Sequence, residues 1–281
     1  MVPATAAAAA MLRRALPLLL LVLLLPAGAA AAGGNRTLVF ILAGQSNMGG
    51  RGGATSGGAW DGVVPPECAP SPRILRLSPA LRWEEAREPL HRGIDLHNVL
   101  GVGPGMPFAH ALLRSPRLAA AAGAAARLGL VPCAQGATPI ASWARGTPLY
   151  DRMLTRARAA LAAPPAAGRR AELAALLWYQ GEADTISRRD AELYTARMEA
   201  FVRDVRRDLG VPDLLVIQVG LATGQGKFIE LVREAQRAVK LPNVKYVDAK
   251  GLQVASDYTH LTTAAQVRLG NMLAKAYLAT L

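Results

Sequence analysis

Short continuous apolar runs recur along the chain at Leu38–Ala43, Arg73–Leu77, Leu128–Ala134, Leu173–Tyr179, Leu214–Val219 and Val244–Asp248. Several lack strict alternation, the pattern of strands covered on both faces. Between most of them the apolar positions return at helical spacing. Pro107–Arg127 is rich in Ala and Leu, with a break expected at Pro116, which has no N–H for a helical bond. Leu149–Ala163 carries arginines on one side. Arg189–Leu209 alternates charged and apolar residues at helical spacing and stops at Gly210 and Pro212. Phe228–Val239 and Thr262–Leu278 complete the set, the last with Thr262 or Thr263 as its N-cap. Strand and helix in regular order predict a parallel sheet with helices on both faces, and ligands in such sheets bind at the carboxyl ends of the strands.

Residues 1–32 do not fit this rhythm. Arg13 and Arg14 precede an apolar run from Ala15 to Leu25, and Pro26–Ala32 is dominated by small residues. Basic, then apolar, then small is the layout of a signal peptide, with cleavage expected between Ala29 and Gly34. The leucine-rich run is shorter than the ~20 apolar residues that span a bilayer. The expectation is a secreted protein, extracellular or in a cell wall, with no stable span after cleavage and one domain over 33–281. The alternative is an uncleaved anchor that borrows the alanines for length. Gly49–Pro72 is rich in Gly and Pro, and a loop of that length inside a domain is often functional. Pro164–Gly168 reads as a plain connector.

Secretion changes the reading of three features. Asn35-Arg36-Thr37 is a glycosylation sequon close to the expected new N-terminus. Cys68 and Cys133, the two cysteines, either pair or stay as buried thiols, and their spacing does not suggest zinc. The net charge is +12, or +10 without Arg13 and Arg14, which suits contact with acidic polysaccharide or simply a charged soluble surface. Nucleic acid is not expected, because only 5% of residues are aromatic and no basic stretch alternates with them.

Four segments carry candidate chemistry. In Gly44-Gln45-Ser46-Asn47-Met48 a serine follows a buried strand inside a glycine-flanked turn, which exposes a hydroxyl at the sheet edge. It is not a G-x-S-x-G elbow, and an ordinary turn that caps a helix is the competing reading. In Asp257-Tyr258-Thr259-His260 an acid and a base lie three apart in a loop. His260 is the best of the four histidines as a general base, since His110 lies in an apolar helix and His91 and His97 lack the same acid spacing. In Trp178-Tyr179-Gln180-Gly181-Glu182-Ala183-Asp184 the Gln180 amide is able to donate to an oxyanion. Glu182 and Asp184 are either an acid pair or metal ligands, or else Asp184 is loop surface charge, the favoured reading, and Glu182 orients a neighbour. Gly101–Pro107 lets backbone N–H groups approach a ligand, or simply starts a helix.

Together these segments resemble the SGNH-hydrolase superfamily, and within it the plant carbohydrate esterases related to acetylxylan esterases and sialate O-acetylesterases. Gly44–Met48, Gly103-Pro104-Gly105, Trp178–Glu182 and Asp257 with His260 carry the resemblance, which spans Leu38 to Leu278. It implies a three-layer, flavodoxin-like parallel sheet with helices on both faces. It implies Ser46 as nucleophile, His260 as base and Asp257 as its partner. The oxyanion hole would comprise the Ser46 and Gly103 N–H groups and Gln180, where the superfamily usually offers Asn. The implied substrate is acetylated carbohydrate, with no metal or cofactor. Ala137–Gly146 looks like the substrate-side loop, with Arg145 as a polar contact and Trp143 either stacked on a sugar or packed against its loop. The alternative function is a non-catalytic carbohydrate-binding protein on the same scaffold.

Overall fold

The computed structural model describes Met1 and residues 36–55, 58–163 and 170–281. The expected signal segment, the Asn35 sequon and the Pro164–Gly168 connector lie outside the described residues. In chain order the elements are β1 (Arg36–Gly44), α1 (Ser46–Gly49), β2 (Ile74–Leu77), β3 (Trp83–Glu85), α2 (Gly105–Leu113), α3 (Pro116–Ala122) and β4 (Arg127–Pro132). They continue with α4 (Pro148–Ala162), β5 (Arg170–Tyr179), α5 (Arg188–Leu209), β6 (Val216–Gly220), α6 (Ile229–Ala238), β7 (Val244–Asp248) and α7 (Thr263–Leu278).

The sheet has seven strands in the order β3-β2-β4-β1-β5-β6-β7, parallel throughout except for the β2–β3 pair. Within it β4-β1-β5-β6-β7 has the flavodoxin-like order, and the β2–β3 hairpin extends one side. β1 is central, which explains why Leu38–Ala43 reads as an unbroken apolar run: every residue of it is buried. On one face Phe40 packs edge-on to Phe108 of α2 and Tyr277 of α7, with ring centroids 4.9 and 5.1 Å away. On the other, Trp178 of β5 meets Phe201 of α5 at 4.5 Å. Aromatic rings bury more area than any other side chains, so these two clusters anchor the outer layers to the sheet.

The expected elements are present, and their ends follow local chemistry. Pro116 opens α3, so Pro107–Arg127 is two helices rather than one. Ser187 accepts the Asp190 N–H at the start of α5, and Gly210 closes that helix in the left-handed conformation. Thr262 caps α7 by accepting the Ala265 N–H. The Trp83–Glu85 strand has no counterpart in the hydrophobic pattern. It is a three-residue edge strand with two glutamates, and short charged strands are how sheets blunt their edges. Cys68 and Cys133 are buried free thiols. Burial raises both, Cys133 to about 11.

Candidate active site

Three loops meet at the carboxyl ends of β1, β5 and β7. Gly44 ends β1 with φ +128°, and a Cβ there would lie 2.1 Å from the Tyr179 carbonyl oxygen. Only glycine permits that approach. It brings the ends of β1 and β5 together, so that the Gln45 N–H donates to Tyr179 O at 2.9 Å. Ser46 then opens α1. After β7 the chain forms a tight loop in which the Ala255 N–H donates to His260 O at 2.7 Å and the Tyr258 N–H to Ala255 O at 3.0 Å. Tyr258 has φ +57° and is 80% exposed, a conformation disfavoured for a bulky residue.

The structure brings Ser46, His260 and Asp257 into one hydrogen-bonded run. Ser46 Oγ lies 2.9 Å from His260 Nε2, and His260 Nδ1 lies 2.6 Å from Asp257 Oδ2. With the ring proton on Nδ1, the imidazole donates to Asp257 and its Nε2 accepts the serine hydroxyl, the arrangement a general base requires. Asp257 Oδ1 accepts the N–H groups of Thr259 and His260, each at 2.9 Å. Partial burial pushes the Asp257 carboxyl up, but these N–H groups and the imidazole outweigh it and hold it below the usual carboxylate range. Ser46 is 3% exposed, whereas Asp257 is exposed.

Three sequence expectations fail on geometry, those for Gln180, Arg145 and Asp184, and one left open, for Trp143, is decided by it. Gln180 is fully buried, and its amide N–H groups are engaged inside the fold, donating to Asp184 Oδ2 at 2.6 Å and Thr138 O at 2.9 Å. No N–H of that amide is left for an oxyanion in this arrangement. Of the two readings open for Trp143, packing against its loop is the one the geometry fits, and no face is offered to a sugar. Trp143 is fully buried, edge-on to Trp178 at 5.3 Å, with its indole N–H on Thr138 Oγ1. Arg145 pairs with Asp208 near the end of α5 at 2.8 Å and makes no contact with the run. Asp184 is not surface charge. It is fully buried, accepts the Ile140 N–H, and burial raises its carboxyl to about 6 against the hydrogen bonds that lower it.

Gly103 lies where a close backbone approach is needed. A Cβ on Gly50 would come within 2.7 Å of its nitrogen. Its N–H, however, is directed at Glu88 Oε1, at 3.3 Å. Among the other histidines, His110 contacts Ala69 O at 2.7 Å and is remote from the serine. Burial depresses His91 to about 3, so it stays neutral in the core.

Glu182 is fully buried, and Asn47 Nδ2 donates to its Oε1 at 2.8 Å. Burial raises its carboxyl to about 7, opposed by the Asn47 bond. Sequence reading assigned Asn47 no role. It also missed the buried Arg51–Asp95 pair at 3.0 Å, whose acid accepts from Asn98, Gln135 and the Gly136 N–H as well. The partners lie 44 residues apart, so no local spacing announces them. Arg51, Thr55, Val99, Ala255, Asp257 and His260 line a cavity of about 190 Å³ beside the run. Among the described residues no group of three His, Cys, Asp or Glu is arranged to hold a metal ion, and no helix is long and apolar enough to cross a membrane.

Comparison with known proteins agrees with this architecture. The model of the family described as "Carbohydrate esterase, sialic acid-specific acetylesterase" matches residues 36–279. A probable carbohydrate esterase of Arabidopsis thaliana is 50% identical over 245 residues, 85% of this chain and 90% of the relative. The crystal structure of that protein superposes with a TM-score of 0.78, covering 88% of this chain and 98% of its own. A carbohydrate acetylesterase of Xanthomonas citri, 20% identical, shares the fold with a TM-score of 0.54 over 85% of this chain and 55% of its own.

Proposed function

The chain belongs to the carbohydrate esterase family of the sialic acid-specific acetylesterases and is a carboxylic ester hydrolase; on that premise we propose that it is a secreted serine esterase that removes O-acetyl groups from carbohydrate. The observation that carries the mechanism is the run from Ser46 Oγ through His260 to Asp257, at 2.9 and 2.6 Å. Ser46 attacks the ester carbonyl while His260 Nε2 takes its proton, and Asp257 holds the ring in the tautomer that accepts it. The tetrahedral oxyanion lies against the Ser46 N–H, which belongs to the first turn of α1 and needs no intrahelical acceptor. The Gly103 N–H joins it by exchanging its 3.3 Å bond to Glu88 for the oxyanion. His260 then protonates the departing sugar oxygen, and water attacks the acetyl-serine with His260 again as base, releasing acetate.

The exposed ring of Tyr258, between Asp257 and His260 in the chain, offers an apolar face to a sugar, which the buried Trp143 does not. Strained backbone outside the usual regions collects at functional sites, which supports this placement. The basic, apolar and small residues of 1–32 support secretion, and the net charge of +12 suits acidic polysaccharide. The test is acetate release by the full chain without residues 1–32 from acetylated xylan and from an aryl acetate, beside Ser46→Ala. Release by the wild type alone is expected from both. Release from the aryl ester only would limit the reading to its esterase part. Polysaccharide binding without release by folded protein would favour the non-catalytic alternative.

A further inference from the structure

In the chain His260 stands between Thr259 and Leu261, and one side chain holds both neighbours. Asn47 Oδ1 accepts the Leu261 N–H at 2.9 Å, and Asn47 Nδ2 donates to the Thr259 carbonyl at 3.2 Å. The second hydrogen of Nδ2 goes to Glu182 Oε1 at 2.8 Å. The Asn47 carbonyl accepts from Gln266 Nε2 of α7 at 3.1 Å. Asn47 and Glu182 are both fully buried. Asn47 directly follows Ser46, so the segment that carries the hydroxyl grips the backbone on both sides of the imidazole.

We propose that Asn47, braced by Glu182, is a positioning residue that sets the distance between Ser46 Oγ and His260 Nε2. This rests on reading Ser46 and His260 as nucleophile and base. Asp257 cannot perform the task. It lies in the same loop as His260, three residues away, and moves with it, fixing the ring within the loop but not the loop against the serine. Asn47 crosses that gap, with partners 212 and 214 residues away. The position requires an amide. A carboxylate would accept from Leu261 but donate to neither Thr259 nor Glu182, and an apolar residue would leave the buried Leu261 N–H and Glu182 Oε1 unpaired. Toward Asn47 the Glu182 Oε1 serves only as an acceptor, so an amide oxygen at the same place performs the same duty. The Glu182 Oε2 has no partner among the described residues.

The experiment measures kcat, KM and Tm of the full chain on an aryl acetate for wild type, Ser46→Ala, Asn47→Ala, Asn47→Asp, Glu182→Gln and the double variant Asn47→Asp/Glu182→Gln. A base misplaced by about an ångström loses up to about 10²-fold in rate. Asn47→Ala is therefore expected to lower kcat by about 10- to 100-fold with KM within about twofold, which lost foldedness alone would not produce at a temperature below its Tm. Asn47→Asp loses the bonds donated to Thr259 and Glu182 and loses at least as much activity. Glu182→Gln stays within about threefold of wild type. The double variant recovers about tenfold over Asn47→Asp, because the amide introduced at 182 donates to the carboxylate introduced at 47. Wild-type kcat in Asn47→Ala overturns the proposal, as does a double variant no better than Asn47→Asp. If Asn47→Ala does not fold, the Asn47→Asp pair decides. A wild type as inactive as Ser46→Ala overturns the esterase reading, and the proposal with it.

Discussion

The two sides of His260 are built by different means. On one side Asp257 meets the ring at 2.6 Å from three residues away, in an exposed loop. On the other, Asn47 and Glu182 hold the flanking backbone from buried positions, and these two residues are themselves 135 apart in the chain. The near side is a local device whose strength comes from charge and geometry. The far side is a neutral network whose worth comes from burial, since an unmade bond there costs the full desolvation of its group. The near side selects the tautomer of the base and the far side fixes its distance from the serine.

Replacing Asp257 gives the largest expected effect that separates the two. Asp257→Asn keeps an oxygen for the Thr259 and His260 N–H groups but turns a donor toward the ring. The imidazole then carries its proton on Nε2, facing the serine, where it cannot act as a base. A loss of about 10³–10⁴-fold in kcat is expected, with little change in Tm because the side chain is exposed. Asn47→Ala, at about 10- to 100-fold, should show the opposite balance, with a smaller kinetic loss and a larger fall in Tm. If the two variants lose activity and stability in the same proportion, the division of labour is wrong.

Gln180 supplies a third, smaller test. Loss of an oxyanion donor costs about 10²–10³-fold in turnover. With both amide hydrogens on Asp184 and Thr138, Gln180→Ala should lose under about tenfold in kcat and register mainly as lower stability, about 1–3 kcal/mol for the unpaired groups left behind. A drop of 10²-fold or more with unchanged Tm would return Gln180 to the oxyanion hole.

Sequence reading reached as far as local chemistry extends. The alternation of apolar runs and helical spacing gave the parallel sheet, and Asp-x-x-His was legible because both partners lie in one loop. What failed or stayed open depended on contacts made across the chain. Trp143 has the same identity whether it faces a sugar or packs on Trp178, 35 residues away, and only the fold decides. Gln180 has the same donors whether they point into solvent or to Thr138, 42 residues away. Arg145 finds Asp208 at a distance of 63 residues. Asn47 was in view as part of the serine motif, but its partners at 182, 259 and 261 come from two other loops.

The smallest effect sharpens the comparison most, because it isolates the buried side without touching the base. Burial raises the Glu182 carboxyl from 4.5 to about 7, with Asp184 beside it adding to the shift and Asn47 opposing it. The phenols of Tyr179 and Tyr194 also face this carboxyl, and both are raised by burial. A carboxyl raised in the folded state keeps its proton while the unfolded chain has lost it. Stability from this group is therefore greatest at low pH, declines as pH rises from about 4.5 to about 7, and is level above that. Glu182→Gln has no such titration. Its Tm relative to wild type should climb between pH 5 and pH 7.5 by the equivalent of about 1–3 kcal/mol, a few degrees for a domain of this size. The unpaired N–H that glutamine introduces lowers both ends equally and drops out of the difference. Glu88, raised to about 7, titrates in both proteins and cancels likewise. A Tm difference that does not change with pH would mean that Glu182 titrates as an ordinary carboxylate, and that Asn47 is braced by a charge rather than by a neutral acceptor.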